Sequence, residues 1–573
     1  MTIPFLRRTA VLAAATFVAA GVASVPAYAA PSTTTAAATT SVRVLSFNDF
    51  HGNLTPPAGS SGRVTLSDGT TVNAGGAAYL ATHAKALRDA VPHSILLSTG
   101  DNIGASPLSS ALFHDEPTIA VLNAMGLDAS VVGNHEFDEG YRELLRIQFG
   151  GCHPTDGCQF TPKYTGAKFP HLGANVYFTN GLPAVLPFTV EVRDGVPVGV
   201  IGATLEDLPD VVTPEAIEGL KFGDEVQAIN RTSKLLDKLG IRSQVVLLHQ
   251  GDSARGGGPN DCIVEPGPGT EIARGTSASV DAIFTAHTHQ GYNCVIDDPA
   301  GNPRPVIQGL SFGRLLSVVD LTIDRRTRDV VRSATVARNE IVTRTVTPDP
   351  TVQAIVDSAV AKSAPIANRP VGTITADITR AAGPSGETAL GNVIADAQLV
   401  ATASAGAQVA ITNPGGIRTD LTYASSAAGE GAGVVTYGEA FAVQPFANIL
   451  QTITLTGDQL DRLLEQQWQP QADGSTIVRV LQISNTLRYT QTPGAPIGSR
   501  VSGITIAGEP VTPTGTYRVT VNNFLAAGGD GFSVLPEGTD LTGGPIDLDA
   551  FTAYLAANPG LAPPATDRIT VVP

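Results

Sequence analysis

Half of the ten histidines in this 573-residue chain stand directly after short apolar runs, beside aspartate and asparagine. The histidines so placed are His51, His135, His249, His287 and His289, and the accompanying residues are Asp49, Asp101 and Asn134. Imidazole nitrogens and carboxylate or amide oxygens are the atoms that bind divalent transition metals. One Asp or Asn after a strand is ordinarily turn or helix-cap chemistry. The concentration of histidines at these positions instead predicts a metal site, whereas the other five (His83, His93, His114, His153, His171) look scattered and are interpreted as ordinary.

The set of ligand types is too large for one ion. The seven candidates are Asp49, His51, Asp101, Asn134, His249, His287 and His289. Two ions that share one bridging carboxylate would use all of them, with four ligands each. Paired ions about 3.5–4 Å apart are the usual device for phosphoester hydrolysis. The residues therefore predict a dinuclear centre, and Zn, Mn, Fe and Co all stay open because the set contains no cysteine.

Each candidate ligand follows a predicted strand. The strands are predicted over residues 42–47, 94–99, 129–132, 244–248 and 281–286. They alternate with amphipathic stretches, a pattern typical of a layered α/β domain. Ligands of open α/β sheets bind outside the carboxyl ends of the strands. We therefore expect the polar residues at these five strand ends to converge.

The amino-acid composition and net charge of the chain limit which molecules it is expected to bind. Charged residues make up 15% of the chain and apolar residues 42%, which excludes a wholly disordered chain. The formal net charge of −16 repels phosphate backbones, so no binding of nucleic-acid polymers is expected. A small phosphorylated substrate would need local metal ions or arginines.

The amino terminus resembles an export signal. Arg7 and Arg8 precede an apolar run over residues 10–25, and Ala27-Tyr28-Ala29 has the form of a cleavage site. Residues 1–30 are therefore predicted to be a cleaved signal peptide. Of the two export routes, the general secretory route is slightly favoured over the twin-arginine route. No later stretch offers 18 continuous apolar residues, so a secreted protein without a transmembrane segment is expected.

The four cysteines fit an oxidising compartment. Two disulfides would use all of them, and three pairings are possible. We favour Cys152–Cys158 and Cys262–Cys294; a zinc cluster is the weaker alternative because no CxxC pair is present.

The chain divides at a proline-bounded helix. Residues 31–41 are predicted to be a low-complexity leader, 42–345 a catalytic domain, 346–370 a helical linker with its helix over 351–364, and 371–573 a second mixed α/β domain.

The order of the motifs resembles the calcineurin-like metallophosphoesterases, in their branch of exported 5′-nucleotidases and UDP-sugar hydrolases. The residues that carry the resemblance are Asp49-Phe-His51, the GDNIGASP run from Gly100, the GNHEFD run from Gly133, His249 and His287-Thr-His289. It implies a four-layer α/β/β/α sandwich followed by a substrate-binding domain. One metal would be held by Asp49, His51, Asp101 and His289, and the other by Asp101, Asn134, His249 and His287. His135 would be catalytic, oriented by Asp138.

The second domain extends the resemblance. Asn413-Pro-Gly-Gly-Ile-Arg418 resembles the loop whose arginine binds the substrate phosphate. Phe446 and Phe524 would stack on the nucleobase, and Asp530 would contact the ribose. One departure is that the family's additional arginines are missing before Glu387; Arg380 is near but does not fall on the pattern, which makes a less basic phosphate pocket the expectation.

The resemblance implies a secreted enzyme that removes the 5′-phosphate of nucleoside monophosphates such as AMP. Related alternatives are a 2′,3′-cyclic nucleotide phosphodiesterase, a UDP-sugar hydrolase and a broad phosphatase. An exported binding protein on the same fold is the non-enzymatic alternative, which the complete set of ligand types and the His135–Asp138 pair oppose. No protein partner is implied.

Overall fold

The computed structural model describes residues 38–572 apart from 58, 213, 427–428, 447 and 471–475. The predicted signal peptide and residues 31–37 of the predicted leader lie outside the described residues.

The first part of the chain contains eighteen described strands and seven α-helices. The strands are β1 Thr39–Phe47, β2 Arg63–Thr65, β3 Thr71–Asn73, β4 Ser94–Ser98, β5 Ala129–Val131, β6 His171–Leu172, β7 Val176–Phe178, β8 Phe188–Arg193, β9 Val196–Thr204, β10 Leu220–Phe222, β11 Ser243–His249, β12 Ser253–Ala254, β13 Val264–Glu265, β14 Ala282–Thr285, β15 Gly291–Asp297, β16 Pro303–Gly309, β17 Leu315–Asp324 and β18 Val336–Ile341. The helices are α1 Ala77–Ala90, α2 Leu108–Ala111, α3 Glu116–Met125, α4 Tyr141–Phe149, α5 Glu225–Lys238, α6 Pro268–Gly275 and α7 Pro350–Ala367.

Two six-stranded sheets form the centre of this domain. Their strand orders are β18-β17-β1-β4-β5-β6 and β15-β16-β14-β11-β9-β8. Apolar side chains of both sheets, such as Val44, Leu97, Val200 and Leu247, form one core between them. Helices α1, α3 and α7 cover the outer face of the first sheet, and α5 and α6 cover that of the second. The predicted α/β/β/α sandwich is confirmed.

The inner strands explain why the motif residues converge. Strands β1, β4 and β5 pair in parallel, and so do β9, β11, β14 and β16. Parallel strands place their carboxyl ends at the same edge of a sheet. These strands are almost wholly buried, as expected for strands covered on both faces.

The second domain has two main sheets with strand orders β25-β20-β29-β22-β30 and β28-β27-β26-β31. Its strands are β19 Pro370–Thr373, β20 Val409–Thr412, β21 Val434–Thr436, β22 Ile449–Thr456, β23 Trp468–Pro470, β24 Thr476–Val478, β25 Gln482–Ile483, β26 Leu487–Gln491, β27 Val501–Ile506, β28 Glu509–Pro510, β29 Thr516–Asn522, β30 Thr539–Ile546 and β31 Ile569–Val571. Its helices are α8 Ala389–Ala401, α9 Tyr437–Val443, α10 Gly457–Glu465, α11 Asn523–Ala526 and α12 Asp547–Ala557.

Two predicted element boundaries differ from the structure by three residues, and the others differ by at most one. Strand β1 begins at Thr39, so residues 39–41 of the predicted leader are paired with β17. Helix α7 runs to Ala367, past the predicted end before Pro365. Pro365 lies in the last turn, so the hydrogen bond that it cannot donate is one of the last in the helix. Helix α7 also packs through Val352, Val356 and Ala359 into the core of the first domain.

The favoured cysteine pairing is confirmed, with disulfides Cys152–Cys158 and Cys262–Cys294. Among the described helices, none is both long and apolar enough to cross a membrane.

Candidate active site

All seven predicted ligand side chains lie together where the carboxyl ends of the two sheets meet. The first sheet positions Asp49, His51, Asp101 and Asn134, and the second positions His249, His287 and His289. The ligand atoms form two close groups, Asp49 with His51 and His289, and Asp101 with His249 and His287. Neither sheet alone holds either complete group.

The first group is compact. The Nε2 atoms of His51 and His289 are 3.2 Å apart, and Nε2 of His289 is 3.4 Å from Oδ1 of Asp49. Asp49 and His51 are fully buried. Three atoms able to bind one cation therefore face each other away from bulk water.

The second group adjoins the first through Asp101. Oδ2 of Asp101 is 3.1 Å from Nε2 of His249 and 3.7 Å from Nε2 of His51. Nδ1 of His287 lies 3.0 Å from Oδ1 of Asn134. Asp101 therefore occupies the position between the groups that the resemblance implies for a bridging carboxylate.

The hydrogen bonds behind the histidines fix which ring nitrogen faces inward. Nδ1 of His249 is 2.7 Å from the carbonyl oxygen of Thr99, and Nδ1 of His51 is 2.8 Å from that of Gly104. A carbonyl only accepts, so each Nδ1 carries the proton when the ring is neutral, and each Nε2 presents a lone pair. Nε2 of His249 is buried without a hydrogen-bond partner. A lone pair opposite the Asp101 carboxylate is repulsive unless a cation or a proton lies between them, so the donor set fits divalent metal ions.

The backbone at these residues is also unusual. Asp49, His51, Asp101, His287 and His289 all have positive φ angles, between +45° and +68°. This conformation is unfavourable for residues with a Cβ, by about 1 kcal/mol or more each, and clusters at functional sites. The fold holds five candidate ligands in a strained conformation that aims their side chains at one another.

Burial and neighbouring charges set the protonation states. Burial lowers the pKa of His287 to about 3, and it also lowers the pKa of His51 and His289. These rings are neutral, the form that binds metal. His249 is the exception, because Asp101 outweighs the effect of burial and raises its pKa to about 9.

Glu136 is a positioning residue that the sequence interpretation missed. Its buried carboxylate accepts hydrogen bonds from the backbone N–H groups of Asp101 at 2.9 Å, Asn102 at 2.8 Å and Gly133 at 2.6 Å. It therefore ties the loop after β4 to the loop after β5. The GNHEFD run contains this residue, but only its buried position distinguishes it from a solvated glutamate.

The predicted catalytic pair is formed. Nδ1 of His135 is 2.8 Å from Oδ2 of Asp138. Burial opposes the charged ring, but Asp138 and Asp101 outweigh it and raise the pKa of His135. The backbone N–H of His135 donates to Oδ1 of Asp101 at 2.9 Å, which fixes the pair beside the candidate metal ligands.

One cavity of about 240 Å³ joins the two domains. It contains all five substrate-binding residues predicted in the second domain, together with four of the predicted site residues of the first domain. The lining includes Asn134, His135, Asp138, His287, Asn413, Arg418, Phe446, Phe524 and Asp530. Phe446 stacks on the ring of His135 with centroids 5.6 Å apart, and Asn413 donates a hydrogen bond to Asp530 at 2.7 Å.

Two further arginines lie near this cavity. Arg380 is close enough to Arg418 that, after burial itself, its charge is the largest cause lowering the pKa of Arg418. Arg380 therefore adds positive charge beside Arg418, although it lies off the family pattern. Arg479, which the sequence interpretation missed, lines the same cavity. Nothing in the sequence pointed to Arg479, because it lies in no recognisable motif.

Comparison with known proteins gives matches over both domains. The family model for calcineurin-like phosphoesterase matches residues 42–291, and that for the 5′-nucleotidase C-terminal domain matches residues 370–537. Endonuclease YhcR of Bacillus subtilis is 32% identical over 90% of this chain, and cell wall protein Lmo0130 of Listeria monocytogenes is 33% identical over 91%. The crystal structure of a 5′-nucleotidase precursor from Thermus thermophilus superposes with a TM-score of 0.76 at 25% identity, covering 93% of this chain and 99% of that one.

The chain matches only part of each of these two relatives. The chain spans 39% of the length of endonuclease YhcR and 67% of that of Lmo0130.

Proposed function

We propose that this chain, which belongs to the calcineurin-like phosphoesterases that carry a 5′-nucleotidase C-terminal domain, removes the 5′-phosphate of nucleoside monophosphates. Members of this family are metal-dependent phosphoester hydrolases, and that much holds for this chain. The observation that carries the finer proposal is the cavity, because it unites His135 and candidate metal ligands with the aromatic and basic residues of the second domain.

Two divalent ions would occupy the centre. Asp49, His51, Asp101 and His289 would hold one, and Asp101, Asn134, His249 and His287 the other. Bound ions supply positive charge that stabilises the phosphoryl group during its transfer to water. The protein's part is to keep the donor atoms within reach of both positions and to hold His51, His287 and His289 unprotonated.

The arginines and the His135–Asp138 pair act on the phosphate. The planar guanidinium of Arg418 suits two phosphate oxygens at once, and Arg380 adds a second positive charge beside it. Asp138 accepts a hydrogen bond from Nδ1–H of His135, which leaves Nε2 for the substrate. With its raised pKa, His135 can hold a proton at Nε2 and donate it to the departing ribose oxygen.

The nucleoside end of the cavity would determine specificity. Phe446 and Phe524 offer flat apolar faces for a base, as aromatic residues do in many nucleotide sites. The partly buried Asp530 carboxylate, held by Asn413, would accept hydrogen bonds from the ribose hydroxyls.

Phosphodiester cleavage is the second candidate function. It is favoured by one observation, the 32% identity to a relative named as an endonuclease. The net charge of −16 and the small cavity argue against a polymeric substrate for this chain and leave small cyclic nucleotides as the diester class.

Export is part of the proposal. It rests on the predicted signal at residues 1–30, on the two disulfides, which form in oxidising compartments, and on the similarity to a cell wall protein.

A substrate panel with metal analysis tests the function. The purified protein, loaded with Zn, Mn or Co in turn, is incubated with AMP, UDP-glucose, 2′,3′-cyclic AMP or ribose 5-phosphate, and the products are quantified by chromatography. Chromatography is needed because hydrolysis of UDP-glucose or of the cyclic diester yields phosphomonoesters and no free phosphate. We expect AMP to have the highest kcat/KM and elemental analysis to find two ions per chain. A higher kcat/KM for the cyclic nucleotide would favour the second candidate, and a value for ribose 5-phosphate equal to that for AMP would refute nucleotide specificity.

A further inference from the structure

A second group of histidine and carboxylate side chains lies outside the candidate active site. His114 follows α2, Glu139 precedes α4, and His153 and Asp156 lie on the loop that the Cys152–Cys158 disulfide closes. The sequence interpretation treated both histidines as scattered, and they lie 39 positions apart in the chain. The fold brings their rings into a stack with centroids 3.8 Å apart.

The polar atoms of these side chains converge. Nδ1 of His114 is 3.0 Å from Oε2 of Glu139, and its Nε2 is 2.8 Å from Oδ2 of Asp156. Nδ1 of His153 is 3.2 Å from the same Asp156 oxygen. Both imidazoles are mostly buried, with 17% and 18% of the side chains exposed, whereas each carboxylate is half exposed.

The loop that carries two of these residues is held in place independently of them. The disulfide joins positions 152 and 158, and His153 and Gly157 exchange two backbone hydrogen bonds at 2.9 and 3.2 Å. His114 stands in a left-handed conformation with φ of +49°, which is uncommon for a residue with a Cβ. The backbone therefore presents both histidines in fixed positions before any ligand binds.

We propose that His114, Glu139 and His153 form a binding site for a zinc ion separate from the dinuclear centre. One ligand atom from each lies within 4.8 Å of the others. Three atoms at that spacing need to move inward by about 0.7 Å to reach a common ion at the usual distance of about 2.1 Å. One of the two stacked rings must also turn, because an imidazole binds a metal in its own ring plane. Two nitrogens and a carboxylate oxygen are a ligand set that zinc accepts.

Asp156 completes the arrangement. One ring nitrogen of His114 faces Glu139 and the other faces Asp156. A carboxylate that holds the nitrogen opposite the metal fixes the ring and strengthens the histidine as a ligand. Asp156 is therefore a positioning residue in this site.

Charge also favours a cation here. Two carboxylates face the pair of rings, and the hydrogen bond that His114 donates to Glu139 is the main reason that the pKa of His114 is raised to about 9. The group attracts positive charge, which a proton satisfies in part and a divalent ion satisfies more fully. Zinc must displace the His114 proton, so its binding is expected to strengthen as the pH rises from 6 toward 9.

The position of the site suggests its consequence. Glu139 directly follows Asp138, the partner of His135, and Asp115, next to His114, accepts a hydrogen bond from the backbone N–H of Gly104 at 3.0 Å. An ion at this site would therefore tie the disulfide-closed loop to two segments that shape the candidate active site.

Zinc stoichiometry tests the site. The mature protein is stripped with a chelator, equilibrated with zinc at pH 8, dialysed, and analysed for bound zinc in wild type, His153→Ala, Glu139→Gln and His93→Ala. His93→Ala is the matched control, because His93 also faces a carboxylate, Asp194 at 3.7 Å, and lies outside the group. We expect wild type and the control to bind one more ion per chain than His153→Ala and Glu139→Gln.

Equal zinc content in all four proteins would overturn the proposal and leave an ion-paired cluster only. Glu139→Gln changes a half-exposed side chain with little change of shape, so it keeps the test valid if His153→Ala fails to fold. Repeating the comparison in an Asp101→Ala background separates this site from the dinuclear centre. One ion should remain there, and the added His153→Ala should remove it; a background protein that binds none would refute the site while leaving the proposed hydrolysis untouched.

Discussion

Replacing Phe524 with alanine should reduce hydrolysis of AMP and spare hydrolysis of ribose 5-phosphate. Phe524 lines the cavity, and in the proposed clamp it contacts only the base of the substrate. Its loss should therefore leave the groups that act on the phosphate in place. Stacking of a base on an aromatic side chain is worth about 1–3 kcal/mol, which corresponds to a fall in kcat/KM of about 5- to 150-fold. Ribose 5-phosphate is AMP without its base, so its kcat/KM should change by less than about 2-fold.

Phe524 is the better of the two aromatic positions for this test. Phe446 also stacks on His135 and lies under the guanidinium of Arg418 at 5.8 Å, so Phe446→Ala would disturb the catalytic pair as well as the base. We expect Phe446→Ala to lower kcat/KM for both substrates, with the larger loss for AMP.

A second variant, Gly529→Ala, should move the ring of Phe524 without removing it. A Cβ added at Gly529 would lie 2.5 Å from the ring of Phe524, and the φ angle of Gly529 is not in the left-handed region. Gly529→Ala should therefore push the Phe524 ring out of place at little backbone cost. It is expected to reproduce the selective loss of AMP hydrolysis.

The alternative role of Phe524 is packing, because it contacts the hydrophobic core of the second domain. Packing alone predicts a lower Tm and equal losses on both substrates. Steady-state kinetics on the two substrates, with Tm measured for each variant, distinguishes the roles. Equal losses for AMP and ribose 5-phosphate would refute the base clamp and favour a general phosphatase.

Three further predictions concern the site and the fold. Asp101→Ala should lose both ions of the dinuclear centre and nearly all activity, since Asp101 lies between the two ligand groups; elemental analysis that finds both ions retained would contradict its bridging role. His135→Ala should lower kcat by about 10²–10⁴-fold with the metal content unchanged, and Asp138→Asn should lower it less; loss of metal from His135→Ala would make His135 a ligand. Burial raises the pKa of Glu225 from 4.5 to about 7, so its neutral form contributes stability that is complete below pH 4.5 and is lost as the pH rises through 7. Glu225→Gln should therefore raise Tm at pH 8 by a few degrees and lose this advantage at pH 4, and thermal unfolding at both pH values checks it.

The candidate ligands of the dinuclear centre were predictable from sequence, because each lies at the end of a strand or shortly after it. Local patterns of apolar residues locate strands, and residues such as Asp49 and Asn134 stand within five positions of a strand end. A parallel sheet then requires that such ends share an edge. The same reasoning covers His249, which is the last residue of β11.

The tertiary structure alone decided which distant residues meet. The pairing of Asp101 with His249 depends on two sheets packing face to face, and the cavity depends on the second domain placing Phe446 against His135. Arg380 and Glu136 acquired their roles through burial beside particular partners, and His114 and His153 came together through a disulfide-closed loop. The spacing of apolar residues along a helix or strand indicates which of its faces is buried. It carries no information about contacts between residues far apart in the chain. Those contacts are set by how the layers pack. The sequence by itself therefore determined the candidate ligands, and the tertiary structure determined their surroundings.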